Sequence, residues 1–116
     1  MEKQPEPCSV DDALGILAGK WKPIILFHLL QGGTQRFSKL KQKMPGITQK
    51  MLTNQLRELE EEDIVSRKVY PQVPPKVEYS ITEYGKTLEP ILEAMHVWGT
   101  KHRQHKMEKA KSKIIG

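Results

Sequence analysis

A chain of 116 residues has room for one compact domain with a modest core and is too short for two ordinary ones. An apolar fraction of 37 % and a charged fraction of 28 % make a soluble globular composition. No run approaches the roughly 20 apolar residues of a membrane span, and the longest is Ile24-Ile25-Leu26-Phe27. A net charge of +5 and a pI near 9.4 favour a polyanionic partner without naming one. The first residues, through Pro7, lack the apolar segment of a signal peptide, so a cytoplasmic protein without membrane contact is expected. The lone Cys8 excludes an intramolecular disulfide framework.

Residues 1–7 are charged and Pro-rich and read as a flexible arm. Ser9 offers an N-cap, and Asp11 and Asp12 suit the first turn, where the helix dipole favours anions. A short helix is expected from Val10 to about Ala18, burying Leu14 and Leu17. Pro23 suits the start of a second helix, which Gly32-Gly33 ends near Gln31. Ile24, Leu26, Phe27, Leu29 and Leu30 leave that helix almost no polar face, which predicts the central position. Arg36-Phe37 reads as extended, and Ser38 as the cap of a short helix from Lys39 to Met44.

Pro45-Gly46-Ile47 is a tight turn into the most informative stretch, residues 48–60. Thr48 stands at an N-cap, and Ile47 and Leu52 have the N′ and N4 spacing of a hydrophobic staple. Met51, Leu52, Leu56 and Leu59 recur at helical spacing and define a buried stripe. The opposite face carries Gln49, Lys50, Thr53, Asn54 and Arg57, whose side chains reach base edges and phosphates. These polar groups crowd toward the N-terminal half, the part that a recognition helix inserts into the major groove. An ordinary amphipathic helix also has a polar outer face, so the neighbouring elements decide. Two short helices joined by about three residues have helix-turn-helix spacing.

Ile64–Tyr70 reads as a strand, Pro71–Pro75 as a stiff connection and Lys76–Ile81 as a second, alternating strand. A hairpin directly after a recognition helix is a wing. Thr82 caps the last helical region, and Pro90 divides a short helix ending near Leu88 from a longer one. Ile91, Leu92, Met95 and Trp98 form an apolar stripe on the longer helix, a candidate dimer element. After His102 the chain is basic and nearly without core residues, and residues 107–116 are expected to fray.

With wing and terminal helix in place, the chain resembles the HxlR family of bacterial winged-helix transcription regulators. The likeness is carried by Cys8, Gly19-Lys20-Trp21, Arg36-Phe37-Ser38 with Leu40, and Ile47-Thr48-Gln49-Lys50-Met51-Leu52. It continues through Leu56-Arg57-Glu58-Leu59-Glu60, Val65, Arg67, Tyr70 and Pro74-Pro75-Lys76-Val77-Glu78-Tyr79. Thr82-Glu83, Gly85, Leu88 and Trp98-Gly99 complete it, over roughly residues 8–102. The resemblance implies an α+β, mostly α fold: a winged helix-turn-helix with a two-stranded wing, spanning residues 8–106. It also implies a homodimer, joined through the N- and C-terminal helices with Val10, Leu14, Ile91, Leu92, Met95 and Trp98 in the interface. Its partner is double-stranded DNA carrying a palindromic or pseudo-palindromic operator. Where the family often has glycine before the wing strand, this chain has Asp63, which tolerates a left-handed backbone better than most residues.

On this reading Thr48, Gln49, Lys50, Thr53 and Asn54 face base edges, with Arg57 on a base or the flanking backbone. Arg36, Ser38 and Lys39 hold phosphate, and Arg67 and Lys76 are wing contacts. Some relatives sense oxidants or electrophiles through a cysteine at the place of Cys8, which makes an oxidant or small-molecule effector compatible with the chain. A small hydrophobe packed in the dimer interface is the plainer role for that thiol. His102 and His105 share a helix face, but no third ligand completes a metal set, and no metal or cofactor is expected. Trp21 and Trp98 read as core or interface aromatics. No nucleophile–base arrangement, phosphate loop or carboxylate pair supports an enzyme. The competing function is a winged-helix protein-interaction module that lacks specific DNA binding.

Overall fold

In the computed structural model, which describes residues 8–115 and side chains through Ile114, helix α1 spans Ser9–Leu17. The expected arm, residues 1–7, lies outside the described residues. Cys8, not Ser9, occupies the N-cap of α1: the Asp11 amide donates to the Cys8 carbonyl at 2.9 Å, which draws Ser9 into the first turn. Leu17 is buried, whereas Leu14, expected beside it, is exposed.

Helix α2, Trp21–Gly32, buries Ile25, Leu26 and Leu29 and half-buries Ile24, Phe27 and Leu30, the central place its composition predicts. It ends at Gly33, whose φ of +71° favours a residue without Cβ. Strand β1, Gln35–Arg36, follows, then α3, Phe37–Lys43. Ser38 does not cap α3. Pairing of β1 with the wing holds Arg36 extended at the N-cap, and Phe37 opens the helix with its ring against that of Tyr79, 6.4 Å away.

Helix α4, Gln49–Glu61, begins as its sequence requires, with Thr48 Oγ1 accepting from the Met51 amide at 3.1 Å. Leu52, Leu56 and Leu59 are buried, but Met51, about 100° around the helix from Leu52, is 38 % exposed and leaves the stripe. The Ile64 amide donates to Leu59 O and the Asp63 amide to Glu60 O, both at 3.0 Å. With Asp63 at φ +62°, this is a Schellman ending in which an aspartate takes the glycine place.

Strands β2, Val65–Tyr70, and β3, Lys76–Ile81, form the expected wing. The sheet has a third member that the sequence reading treats only as extended chain: β1 pairs with β3, giving the antiparallel order β1-β3-β2. Leu40, Met44, Ile47, Ile64, Val65 and Tyr79 close the core around the α2 and α4 leucines. Burial of each large apolar side chain contributes about 1.5–3 kcal/mol.

One polar side chain is buried with them. Gln35 donates through Nε2 to the His28 carbonyl and accepts through Oε1 from Lys43 Nζ, both at 2.7 Å. It thereby joins α2, β1 and α3. The Thr82 hydroxyl lies 2.6 Å from Asp63 O and accepts from the Gly85 amide at 2.9 Å, capping a 3₁₀ turn, Gly85–Leu88.

The chain forms two compact units, Met1–Lys86, which holds the winged helix, and Thr87–Gly116. The second unit is dominated by α5, Glu89–Ile115, with Pro90 in the first turn, where it is tolerated. The expected fraying after residue 106 gives way to continuous helix. No Gly or Pro interrupts residues 100–115, and Lys, Glu, Met, Ala and Gln there are good helix formers. Leu92, assigned from sequence to an exposed interface, is buried, while Ile91, Met95 and Trp98 are exposed. Trp98 stacks on His102 at 4.9 Å between centroids. No single helix among the described residues is long and apolar enough to cross a membrane.

Candidate nucleic-acid interface

The same periodicity that buries Leu52, Leu56 and Leu59 turns Gln49, Lys50, Asn54 and Arg57 to solvent, with Thr53 half-buried beside them. Thr53 Oγ1 donates to the Gln49 carbonyl at 2.8 Å, which fixes its rotamer. At the far end Glu58 is tied to Lys22 of α2 at 2.7 Å, so α4 is braced at both termini. Glu60, Glu61, Glu62 and Asp63 are exposed there. Their charge repels a polyanion and directs it toward the Gln49 end.

Arg36, Ser38 and Lys39 are exposed at the start of α3. On the wing Arg67 is exposed and faces Tyr79 across the β2–β3 ladder. Lys76 is half-buried and engaged: its Nζ lies 2.7 Å from Glu78 and 4.7 Å from the Tyr70 ring centroid. Lys68 stands over the same ring at 4.9 Å. Glu78 also accepts from the Tyr70 hydroxyl at 3.2 Å. The Lys76 hydrogen bond, then that of Tyr70 and the charges of Lys76 and Arg36, hold the Glu78 carboxyl below its ordinary pKa against the opposing effect of burial. These links stiffen the outer end of the wing, next to its connecting loop.

Structure therefore brings together Gln49, Thr53, Arg57 and Arg67, which with Glu60 border a groove of about 500 Å³. Phe37, Val77 and Tyr79 supply its apolar part. Lys50 and Asn54 lie outside the groove on the exposed face of α4, and Arg36, Ser38, Lys39 and Lys76 do not border it. Sequence reasoning missed the groove, along with Phe37, Val77 and Tyr79 as members of it. The alternation of β3 puts Val77 and Tyr79 on one face, but which element covers that face is a tertiary matter.

In the second unit, α5 presents an exposed apolar surface made by Pro90, Ile91, Ala94, Met95 and Trp98. Among the described residues no group of three or more His, Cys, Asp or Glu side chains is placed to hold a metal ion. Cys8 is exposed.

A family model described as HxlR-like helix-turn-helix matches residues 16–107. The HTH-type transcriptional regulator YdeP of Bacillus subtilis is 51 % identical over 108 residues, covering 91 % of this chain and 84 % of its own. The regulatory protein MalR of Fusobacterium mortiferum is 55 % identical over 97 residues, 84 % of this chain and 92 % of its own. Among solved structures, the redox regulator HypR in its reduced form superposes with a TM-score of 0.79 at 52 % identity. That match covers 83 % of this chain and 94 % of HypR. The oxidised form of HypR gives 0.76 at 53 % identity, over 81 % and 96 % of the two chains.

Proposed function

Because this chain belongs to the HxlR-like helix-turn-helix family, we propose that it regulates transcription as a homodimer on a two-fold related operator, with α4 as the reading element. The chain is a DNA-binding transcriptional regulator and not an enzyme. One observation carries the assignment of the reading face: on a capped and braced helix, Gln49, Lys50, Asn54 and Arg57 are exposed while the opposite stripe is buried. Arg57 and Lys50 suit guanine O6 and N7, and Asn54 and Gln49 suit adenine N6 and N7. Arg36, Ser38 and Lys39 take backbone phosphates, and Arg67, with Lys76 where its ion pair opens, takes them from the wing. Two such helices engage half-sites about one turn, roughly 34–36 Å, apart.

Dimerisation is supported by the exposed apolar residues Ile91, Met95 and Trp98 on α5 and Val10 and Leu14 on α1. Activity belongs in the cytoplasm, with the DNA. The likeness to HypR and the exposed place of Cys8 at the start of α1 support a redox response. An oxidant joins the Cys8 Sγ atoms of two protomers, or one Sγ to a small thiol, taking up two electrons as two protons leave.

Fluorescence anisotropy of the reduced protein on its own upstream DNA, with a shuffled duplex as competitor, tests the reading. Nanomolar binding that survives the competitor is expected. Lys50→Ala and Asn54→Ala should each weaken the specific duplex by about 1–3 kcal/mol and leave the sedimentation coefficient unchanged. Equal, weak binding to both duplexes refutes sequence reading by α4. An oxidant response undiminished in Cys8→Ser refutes the sensor.

A further inference from the structure

Residues 1–100 balance thirteen lysines and arginines with thirteen carboxylates. The whole net charge of +5 therefore sits in the last sixteen residues, where five lysines and an arginine are opposed by Glu108 alone. Helix α5 carries these cations, and every described residue from Thr100 to Ile114 is exposed. At 100° per residue, Lys101, Lys106, Lys109 and Lys113 fall with His102 and His105 within about 140° of arc. Glu108 lies outside that arc, and the row runs along about 18 Å of helix. The stack of Trp98 on His102 continues to His105, with centroids 6.4 Å apart, and leads from the apolar half of α5 onto the lysines. Among the described residues no ion pair or hydrogen bond holds any of the four lysines. The HxlR model ends at residue 107, so Lys109 and Lys113 lie beyond the part that the family shares.

We propose that this row of lysines is a second DNA-contacting surface, which grips duplex phosphates without reading sequence. A merely solvated helix face mixes charges of both signs. Here Lys106 and Lys109, at i, i+3, and Lys109 and Lys113, at i, i+4, repel each other along the helix, and a polyanion relieves that repulsion. The helix dipole favours cations in the last turn alone, which accounts for Lys113 but not for Lys101, Lys106 or Lys109. Lysine is a compact point charge suited to phosphate, and a row of identical donors offers no pattern to match base edges. A protein partner would call for aromatic or arginine anchors, and lysine is depleted from such interfaces. A lipid surface would need a broad face of bulky apolar residues. The far side of α5 has Met107, Ala110 and Ile114, interrupted by Arg103 and Lys111. The choice of duplex DNA as the polyanion rests on the regulator reading. Once α4 holds a site, the tethered row meets the same duplex at high local concentration.

The test is fluorescence anisotropy of the full chain on its upstream duplex and on a shuffled duplex, each across a salt series. The variant replaces Lys106, Lys109 and Lys113 together by Gln, a good helix former, and far-UV circular dichroism checks that α5 persists. The slope of log affinity against log salt should flatten by about 2.7 per protomer, about 0.9 for each lysine. Affinity at about 0.1 M salt should fall at least about tenfold on both duplexes, with the ratio between them unchanged. Lys109→Gln alone should flatten the slope by about 0.9, whereas Lys111→Gln, off the row, should leave it as it is. An equal slope in parent and triple variant overturns the proposal, as does an equal effect of Lys109→Gln and Lys111→Gln. Phosphatidylserine vesicles that sediment the parent but not the triple variant, with DNA slopes unchanged, assign the row to a lipid surface and also overturn it. The two readings fail separately. Preference for the upstream duplex with an unchanged slope refutes this inference alone, and a flattened slope on duplexes bound equally refutes sequence reading by α4 alone.

Discussion

Asp63 holds the left-handed backbone at the end of α4, and the neighbouring carboxylates make that helix end doubly unfavourable. Asp63→Gly removes both the Cβ and a negative charge beside the helix C-terminus. It should raise stability by about 0.5–1 kcal/mol, read as a higher urea midpoint at unchanged slope. Gly85 is the opposite case. A Cβ there would run into the carbonyl oxygen of Ile64, a backbone atom already held by the Thr82 amide at 3.0 Å. Gly85→Ala should cost about 1–3 kcal/mol in the same experiment. Thr48, Ile47 and Asp63 were legible in the sequence because capping and helix ending depend on residues a few positions apart. Gln35 and Tyr79 were not, since their roles come from partners brought near by folding: Lys43 at the far end of α3 and Arg67 across a hairpin.

Among the elements, helix starts were the least legible. Serine caps expected at residues 9 and 38 lost to backbone pairing, through the Cys8 carbonyl in one case and the β1–β3 ladder in the other. Periods fared better: α4 and both wing strands fall within a residue of their expected limits. Two elements carry titrations that make stability depend on pH. On α2, burial and then the charge of Lys43 push the His28 pKa below its ordinary value. The unfolded chain therefore takes up that proton near pH 6.5 while the folded one resists. Stability should fall as pH drops through about 6.5, and His28→Gln should flatten the urea midpoint between pH 7.5 and about 5.5. On β3, the depressed Glu78 carboxyl contributes stability above the ordinary carboxylate range, and this is lost as pH falls below about 4.3. Glu78→Gln should blunt that acid limb and leave the neutral one unchanged.

For the molecule as a whole, the net charge of +5 understates the contrast between the acidic end of α4 and the cations of α3, the wing and the Gln49 end. Contacts to about six phosphates would lower affinity on the order of a thousandfold between about 50 and 200 mM salt. Lys39→Gln, taking away one phosphate contact, should reduce the slope of log affinity against log salt by about 0.9, measured by anisotropy. The winged-helix order of elements was legible from periods and punctuation. The groove was not, since it exists only once α4 faces β3.

The hairpin tip has a bearing on solubility. Val73 is 99 % exposed, and β2 lies at the border of the sheet. An apolar tip beside an open strand would normally invite another chain to add to the ladder. Here Pro71, Pro74 and Pro75 surround Val73 and offer no amide hydrogens to an incoming strand. Arg67 and Lys68 charge the open strand with one sign, so two copies repel when aligned side by side. Cations that serve the duplex also keep crowded copies of the protein from joining into fibrils.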